Sequence, residues 1–205
     1  MWTLLKSKLT RFFLLVFSIL TAFLVYIFYD LPSINSLPGN LNQPSVKITD
    51  RNERLLYEII PTEGGRNAPL SVENIPQRMK DATVAVEDKN FYQNSGVDMA
   101  GIIRAMWINL RGGETLSGGS TITQQVARTL LLSDEKSERN LRRKLRETVL
   151  AWQLTRTYSK NEILALYLNQ IYYGGMAYGI EAASQTYFGK PAFDLLLPEC
   201  ALLAG

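Results

Sequence analysis

Two glutamates stand in company that could do chemistry. Glu87 lies in Val86-Glu87-Asp88-Lys89-Asn90-Phe91-Tyr92-Gln93-Asn94-Ser95-Gly96-Val97-Asp98, where an amphipathic helix gives way to a loop and a carboxylate is easily reached. Glu147 lies in Arg143-Lys144-Leu145-Arg146-Glu147 on a long basic helix. Between them, Gly118-Gly119-Ser120-Thr121-Ile122-Thr123-Gln124-Gln125 sets a glycine turn ahead of a helix start. Such a turn lets backbone approach a ligand, the helix start offers N–H donors to an anion, and Gln124 and Gln125 add amide donors. A reachable carboxylate, a polar helix start and a second carboxylate among cations are what a site handling a sugar and a phosphate requires. Asp88 beside Glu87 strengthens this, because paired acids raise one pKa and can hold a general base near neutrality. Each feature also has a plainer reading. Glu87 can be a solvated helix-end acid, Glu147 a surface ion pair with Arg143, and the glycine run a helix cap.

Composition narrows the chemistry. The 205 residues and 46% hydrophobic content suffice for one domain of ordinary size with its own core. The sequence has no histidine and one cysteine, Cys200, which removes a Ser-His-Asp triad, a Cys-His dyad, a Cys/His zinc site and an internal disulfide. Catalysis would rest on Asp/Glu, Ser/Thr and Lys/Arg. A net charge of +3 is too mild to indicate nucleic acid. The cations Lys136, Arg139, Arg142, Arg143, Lys144 and Arg146 are concentrated in one stretch, which fits a solvated face or attraction to anionic lipid heads.

The elements that must position these residues follow from pattern. Phe12 to Tyr29 is an uncharged run of 18 residues, which as a helix rises roughly 27 Å and can span a bilayer. Lys6, Lys8 and Arg11 precede it and Asp30 follows, so residues 1–11 are expected in the cytoplasm and everything after residue 30 outside. No small-x-small cleavage site follows, so the run reads as a signal anchor. Residues 30–44 carry three prolines with Ser, Asn and Gly and suggest a short extended linker, with a domain over 45–205. Val46 to Asp50 and Arg54 to Ile59 predict a β-hairpin, the one sheet expected, and Pro61 to Pro69 a loop. A helix follows Pro76, with Met79, Ala82 and Val86 on one face up to Glu87. Asp98 can cap a helix with apolar Met99, Ile102, Ile103, Met106 and Leu110 that ends at Gly112-Gly113. Ser120 or Thr121 starts the next, with Ile122, Val126 and Leu130 four apart. From Glu138 to Tyr158, Leu141, Leu145, Val149 and Trp152 mark a buried face. Ser159-Lys160-Asn161-Glu162 is a capping box. Further helices run over 177–188 and from Pro198. The result is a mainly helical domain behind one membrane helix.

In this order the motifs resemble the glycosyltransferase domain of class A penicillin-binding proteins and monofunctional peptidoglycan glycosyltransferases, glycosyltransferase family 51. The blocks are Glu87-Asp88-x-x-Phe91 with Gly96; Gly119-Ser120-Thr121-Ile122-x-Gln124-Gln125; Arg143-Lys144-x-x-Glu147; Lys160-x-x-Ile163-Leu164-x-x-Tyr167-Leu168-Asn169; and Glu199-x-Ala201-x-Leu203-Ala204-Gly205. The resemblance covers residues 46–205. It implies a lysozyme-like, two-lobed helical fold and polymerisation of lipid II into β-1,4-linked glycan strands outside the cytoplasmic membrane.

By that resemblance Glu87 is the general base toward the acceptor and Glu147 the second catalytic acid, on the donor side. Asp88, Phe91, Asn94, Gly119, Ser120, Thr121, Gln124, Gln125, Arg128, Arg143, Lys144 and Asn169 are the implied substrate-binding positions. A divalent cation, Mg or Mn, near the pyrophosphate is the one cofactor the resemblance suggests. The implied partners are lipid II, the growing glycan strand, membrane lipid and other cell-wall synthesis proteins. Asn94 stands where many members carry histidine and retains hydrogen-bonding capacity. The family continues past Gly205, so an N-terminal fragment is expected. A glycan-cleaving enzyme on the same scaffold would not need Gln124-Gln125 or the cationic helix, and a non-catalytic scaffold would not need to retain Glu87 and Glu147. Ser133-Asp134-Glu135-Lys136 matches the S-x-x-K pattern of acylated serines, but no Lys-Thr-Gly partner exists in the chain.

Overall fold

The computed structural model describes residues 2–52, 54–62, 64–99, 101, 119–138 and 140–205. The helix expected after Asp98, through Ile102, Ile103, Met106 and Leu110, lies outside the described residues, as do Gly118 and Arg139. Helix α1 (Trp2–Phe28) contains the stretch Leu9–Phe28, of mean hydropathy 2.3, which is long and apolar enough to cross a membrane. Its side chains are exposed from Leu9 to Tyr26, and Ile27 is the first to be buried.

The segment after it is not the extended spacer expected from its prolines. Ser33 caps a 3-10 turn (Ile34–Asn40) through an Oγ that accepts from Asn35 N at 3.2 Å, and Leu37 sinks into the main core. Asn40 Nδ2 donates to the Leu130 carbonyl (2.8 Å), Asn42 N donates to Gln170 Oε1 (2.7 Å), and Asn67 Nδ2 donates to the Asn42 carbonyl (3.0 Å). Polar residues that composition assigns to a linker are satisfied by the domain, so the strap is part of it.

Strands β1 (Val46–Thr49) and β2 (Leu55–Ile59) form the expected antiparallel hairpin, with Val46 opposite Ile59 and a bulge at Ile48/Thr49. It is not the sole sheet: β3 (Arg66–Asn67), in the stretch expected to be loop, pairs in parallel with β4 (Ala177–Tyr178). The rest is helical. The elements are α2 (Gln77–Glu87), α3 (Ile122–Val126) continued by a π-helical turn (Ala127–Leu131), α4 (Leu141–Thr157), α5 (Lys160–Gln170), α6 (Ile180–Phe188) and α7 (Leu197–Ala204). One core joins Met79, Phe91, Ile122, Val126, Leu150, Leu154, Leu164 and Leu168, and α7 packs along α2. The mainly helical class with a small hairpin therefore holds.

Two helix faces differ from their apolar periodicity. On α2 the buried row is Met79, Lys80 and Thr83, while Val86 is exposed. On α4 the buried residues are Arg146, Glu147, Leu150, Ala151 and Leu154, whereas Leu141 and Trp152 lie open at 67% and 46%. The helix also starts later than Glu138, because Asn140 caps it by accepting from Arg143 N at 2.8 Å. On α4 a long-range partner buries a row that hydrophobicity alone would leave outside, Arg146 meeting Asp30, whereas on α2 the buried Lys80 donates to the nearby Val72 carbonyl at 2.8 Å.

Asn169 on α5 fastens the segment before α2 to the core. Its Nδ2 donates to the Leu70 carbonyl and its Oδ1 accepts from Leu70 N, both at 2.8 Å, with the residue 8% exposed. Asn169→Ala leaves both backbone groups of Leu70 without these partners and is expected to cost about 2 kcal/mol. Chemical denaturation checks this; an unchanged midpoint at unchanged slope would refute it.

Candidate active site

The row that buries Met79 and Thr83 on α2 reaches Glu87 at the next step of four, so the helix delivers this carboxylate to the core side just as it ends. Gln125 Nε2 donates to Glu87 Oε2 at 2.6 Å, and the Tyr167 hydroxyl donates to Gln125 Oε1 at 3.5 Å. The amide is thus turned so that its N–H faces the acid. Glu87 lines two cavities. One, of about 560 Å³, is walled also by Thr83, Tyr167, Tyr173, Tyr187 and Leu203. The other, of about 220 Å³, is walled by Asp88, Asp98, Gly119, Ser120 and Thr121. A third, of about 170 Å³, brings Gln125 and Tyr167 together with Arg128, Lys136 and Tyr172. Burial pushes the phenols of Tyr167 and Tyr173 well above their ordinary range, aided by the charge of Glu87 at Tyr167 and by Tyr167 and then Glu87 at Tyr173, so both stay protonated donors.

The helix start behaves differently from its expected role as an anion site. Thr121 Oγ1 accepts from Gln124 N at 3.1 Å while Gln124 Oε1 accepts from Thr121 N at 3.0 Å, the reciprocal capping box. Ile122 N donates to Asp88 Oδ2 at 3.2 Å, so the anion at this helix start is the protein's own carboxylate. Asp88, 7% exposed, also accepts from Asn94 Nδ2 at 3.0 and 3.2 Å. Asn94 Oδ1 in turn accepts from Lys160 Nζ at 3.0 Å and from Gly96 N at 3.0 Å. Burial raises the Asp88 carboxyl above its ordinary value of 3.8 against the hydrogen bonds of Asn94 and Ile122 and the charge of Lys160. Burial likewise lowers Lys160, opposed by Asp88. Gly96 is required here: its φ is +97°, and a Cβ would stand 2.5 Å from the Ala151 carbonyl oxygen.

Glu147 is not a surface ion pair. It is 0% exposed, with Arg143 Nη1 donating to Oε2 at 2.6 Å and Lys144 Nζ donating to Oε1 at 2.7 Å. Arg143 Nε also donates to the Glu138 carbonyl. Lys144 Nζ reaches Ser120 Oγ at 2.9 Å, which links the cluster to the smaller cavity beside Glu87. Both Glu147 oxygens are engaged by these two cations, which leaves neither open to a divalent metal. Among the described residues no group of three acidic or cysteine side chains could hold a metal.

The structure therefore sorts the residues expected to bind substrate. Asp88, Gly119, Ser120, Thr121, Gln125 and Arg128 line cavities next to Glu87, Lys144 meets them through Ser120, and Arg143 is joined to Lys144 through Glu147. Phe91 does not: it is 0% exposed in the core, with Lys160 Nζ 4.6 Å from its ring centre. Gln124 is also 0% exposed, occupied by the cap and by an Nε2 bond to Thr148 Oγ1 at 3.3 Å. Asn169 holds Leu70 and Asn94 holds Asp88, so these four position other groups. Pattern missed Tyr167, Tyr173, Lys136 and Lys160. Tyr167 and Lys160 stand in a motif block without a role, Lys136 is one of many cations and Tyr173 is in no motif, and only their distance from Glu87 or Asp88 distinguishes them.

A sequence model described as transglycosylase matches residues 52–205. The chain is 43% identical over 185 residues to a penicillin-binding protein 1A of Aquifex aeolicus, covering 90% of this chain and 25% of that protein. It is 38% identical over 207 residues to the one of Mycolicibacterium smegmatis, covering 99% and 26%. With the one of Haemophilus influenzae it shares 43% over 169 residues, covering 82% and 19%. The chain spans about a quarter or less of the length of these curated relatives.

The Asp88 network makes stability depend on pH. Its folded pKa lies above the unfolded one, so the folded state holds the extra proton between the two values. That contribution is full below the ordinary 3.8 and is given up as pH rises through the raised value. Lys160 has the opposite sense, regaining its contribution as pH rises through its lowered pKa toward 10.5. Asp88→Asn is expected to flatten the decline in unfolding free energy as pH rises from the ordinary 3.8 through the raised value. Denaturation curves taken across that range check it, and curves for the two forms that stay parallel would exclude it.

Proposed function

The chain belongs to the transglycosylase family, and from that premise we propose that its domain polymerises lipid II into β-1,4-linked glycan. Glu87 takes the proton from the 4-hydroxyl of the acceptor's N-acetylglucosamine. The freed oxygen attacks the anomeric carbon of the donor's N-acetylmuramic acid from the face opposite the leaving group, so configuration inverts and undecaprenyl pyrophosphate departs. The observation that carries this reading is the place of Glu87 on the wall shared by two cavities, with one oxygen held at 2.6 Å by Gln125 and the other side open to a ligand. A base must be within hydrogen-bond reach of the proton it removes, and one held by a neighbour loses little freedom on substrate binding.

Charge builds on the pyrophosphate as the bond breaks, and fixed cations stabilise it without rearranging. Lys144 and Arg143, set by buried Glu147, and Arg128 with Lys136 in the adjoining cavity supply that charge. Glu147 thus orients cations and does not transfer the proton. We infer that these side chains take the part a divalent cation would otherwise play, in which case chelation leaves the rate largely intact. The apolar helix α1 keeps the domain beside a polyprenyl substrate that stays in the bilayer. The cations at Lys6, Lys8 and Arg11 favour a cytoplasmic N-terminus, with the domain on the extracytoplasmic side of the inner membrane, where other cell-wall synthesis proteins act.

Fluorescent lipid II supplied to the chain in vesicles tests the base. Glu87→Gln is expected to lower polymer formation about 10³-fold, whereas Lys136→Ala is expected to raise the apparent KM with less effect on kcat. Equal polymer from Glu87→Gln and the parent sequence would remove Glu87 from the role. An absolute requirement for added Mg²⁺ or Mn²⁺ would overturn the assignment of the charge to side chains.

A further inference from the structure

The membrane helix and the phosphate side of the site meet on one helix. Arg142 Nη2 donates to Asp30 Oδ1 at 2.6 Å and Arg146 Nη1 donates to the same oxygen at 2.7 Å, while Arg146 Nη2 takes the Asp30 carbonyl at 2.9 Å. Arg142 Nε donates to the Tyr26 carbonyl at 3.1 Å, and its guanidinium lies 5.3 Å from the Tyr26 ring centre. Tyr26 is in the last turn of α1, where carbonyls lack helical partners and a cation is favoured by the helix dipole. Glu135 Oε1 completes the cluster, 3.2 Å from Arg146 Nη1. The side chain of Arg146 is 3% exposed and Ile27 is 1% exposed, while Asp30 is 41% exposed, so the joint is packed on its Arg146 side and open to solvent at Asp30.

Residues 142 and 146 are four apart on α4, and so are 143 and 147. The two rows are neighbours, offset by about 100° around the axis. One row grips the end of α1, the other holds the Arg143–Glu147–Lys144 cluster. A turn or slide of α4 large enough to release Asp30 would carry the cations with it.

We propose that Asp30 is a positioning residue: through Arg142 and Arg146 it locks the membrane helix to α4 and thereby fixes where Arg143 and Lys144 stand relative to the bilayer. This rests on the reading of those cations as the pyrophosphate site. A lipid-linked pyrophosphate enters at a depth set by its tail, so its cations must be held at a matching depth. A substrate with a short, soluble tail carries no such constraint. The strap from Ser33 to Asn42, packed into the domain, leaves no slack that would restore the geometry once the joint opens.

The test uses the full chain in vesicles, with Asp30→Asn, Asp30→Glu and Arg142→Gln. Asp30→Asn and Arg142→Gln are expected to raise the apparent KM for long-tailed lipid II in the bilayer about tenfold. Both should leave kcat/KM for a short-tailed soluble analogue within about twofold, and Asp30→Glu should recover most of the loss. Independently of activity, spin labels at Tyr29→Cys and Trp152→Cys should give one narrow distance distribution that Asp30→Asn broadens. Equal losses on both substrates, or a distribution as narrow in Asp30→Asn as in the parent sequence, would overturn the proposal. If the parent sequence polymerises neither substrate, the glycosyltransferase reading fails while the spin-label distances still decide whether Asp30 locks the joint.

Discussion

The buried carboxylate of Asp88 is the constraint on which the site depends. It follows Glu87 directly, so whatever holds Asp88 sets the direction of Glu87. Three elements converge on it: the N-terminus of α3 through Ile122 N, the loop after α2 through Asn94, and α5 through Lys160 acting on Asn94. An unpaired carboxylate at this depth would be costly, and each donor lowers that cost only in one geometry. The pin therefore fixes α2 against α3, which brings Gln125 within 2.6 Å of Glu87. Raising the Asp88 pKa is the residual expense of burial that the donors do not cancel.

What could be read from pattern was local. The capping box of Ser159 with Glu162 was legible because its partners are three residues apart and the residue types are restricted, whereas Gln124 read as a ligand donor and only the structure shows it closing a box with Thr121. The hairpin was legible for the same reason. The buried face of α4 was not. Leu141, Leu145, Val149 and Trp152 recur with helical spacing, yet Arg146 and Glu147 are buried together with Leu150, Ala151 and Leu154, and the partner of Arg146 is Asp30, 116 residues away. Hydrophobic periodicity assumes that charges stay in water. It misplaces a face when distant ions satisfy them.

The same limit applies to the site. Glu87, Gln125 and Ser120 could be named because motif order singles them out. Gln124 and Phe91 belong to the same motifs but are 0% exposed and serve the frame. Two successive residues on a helix point about 100° apart, so of Gln124 and Gln125 only one can face the cleft. A string of letters does not say which. Asn94 illustrates the reverse case. The position asks for one group that donates to Asp88 and accepts from Lys160, and an amide does both without titrating.

The three acids thus divide their work by environment rather than by type. Glu87 keeps contact with two cavities and, among the described residues, one close donor, as a group that must take up a proton requires. Asp88 has surrendered its oxygens to the frame. Glu147, fully enclosed, has both oxygens engaged by cations. A proton arriving at Glu147 would break two charge-assisted hydrogen bonds, so its negative charge is best used where it stands, holding Arg143 and Lys144 together with Lys144 on Ser120. Removing any one of the three would therefore fail differently. Loss of Glu87 takes away the proton acceptor, loss of Asp88 lets α2 and α3 drift apart, and loss of Glu147 leaves two cations that repel one another and no longer converge on a shared anion.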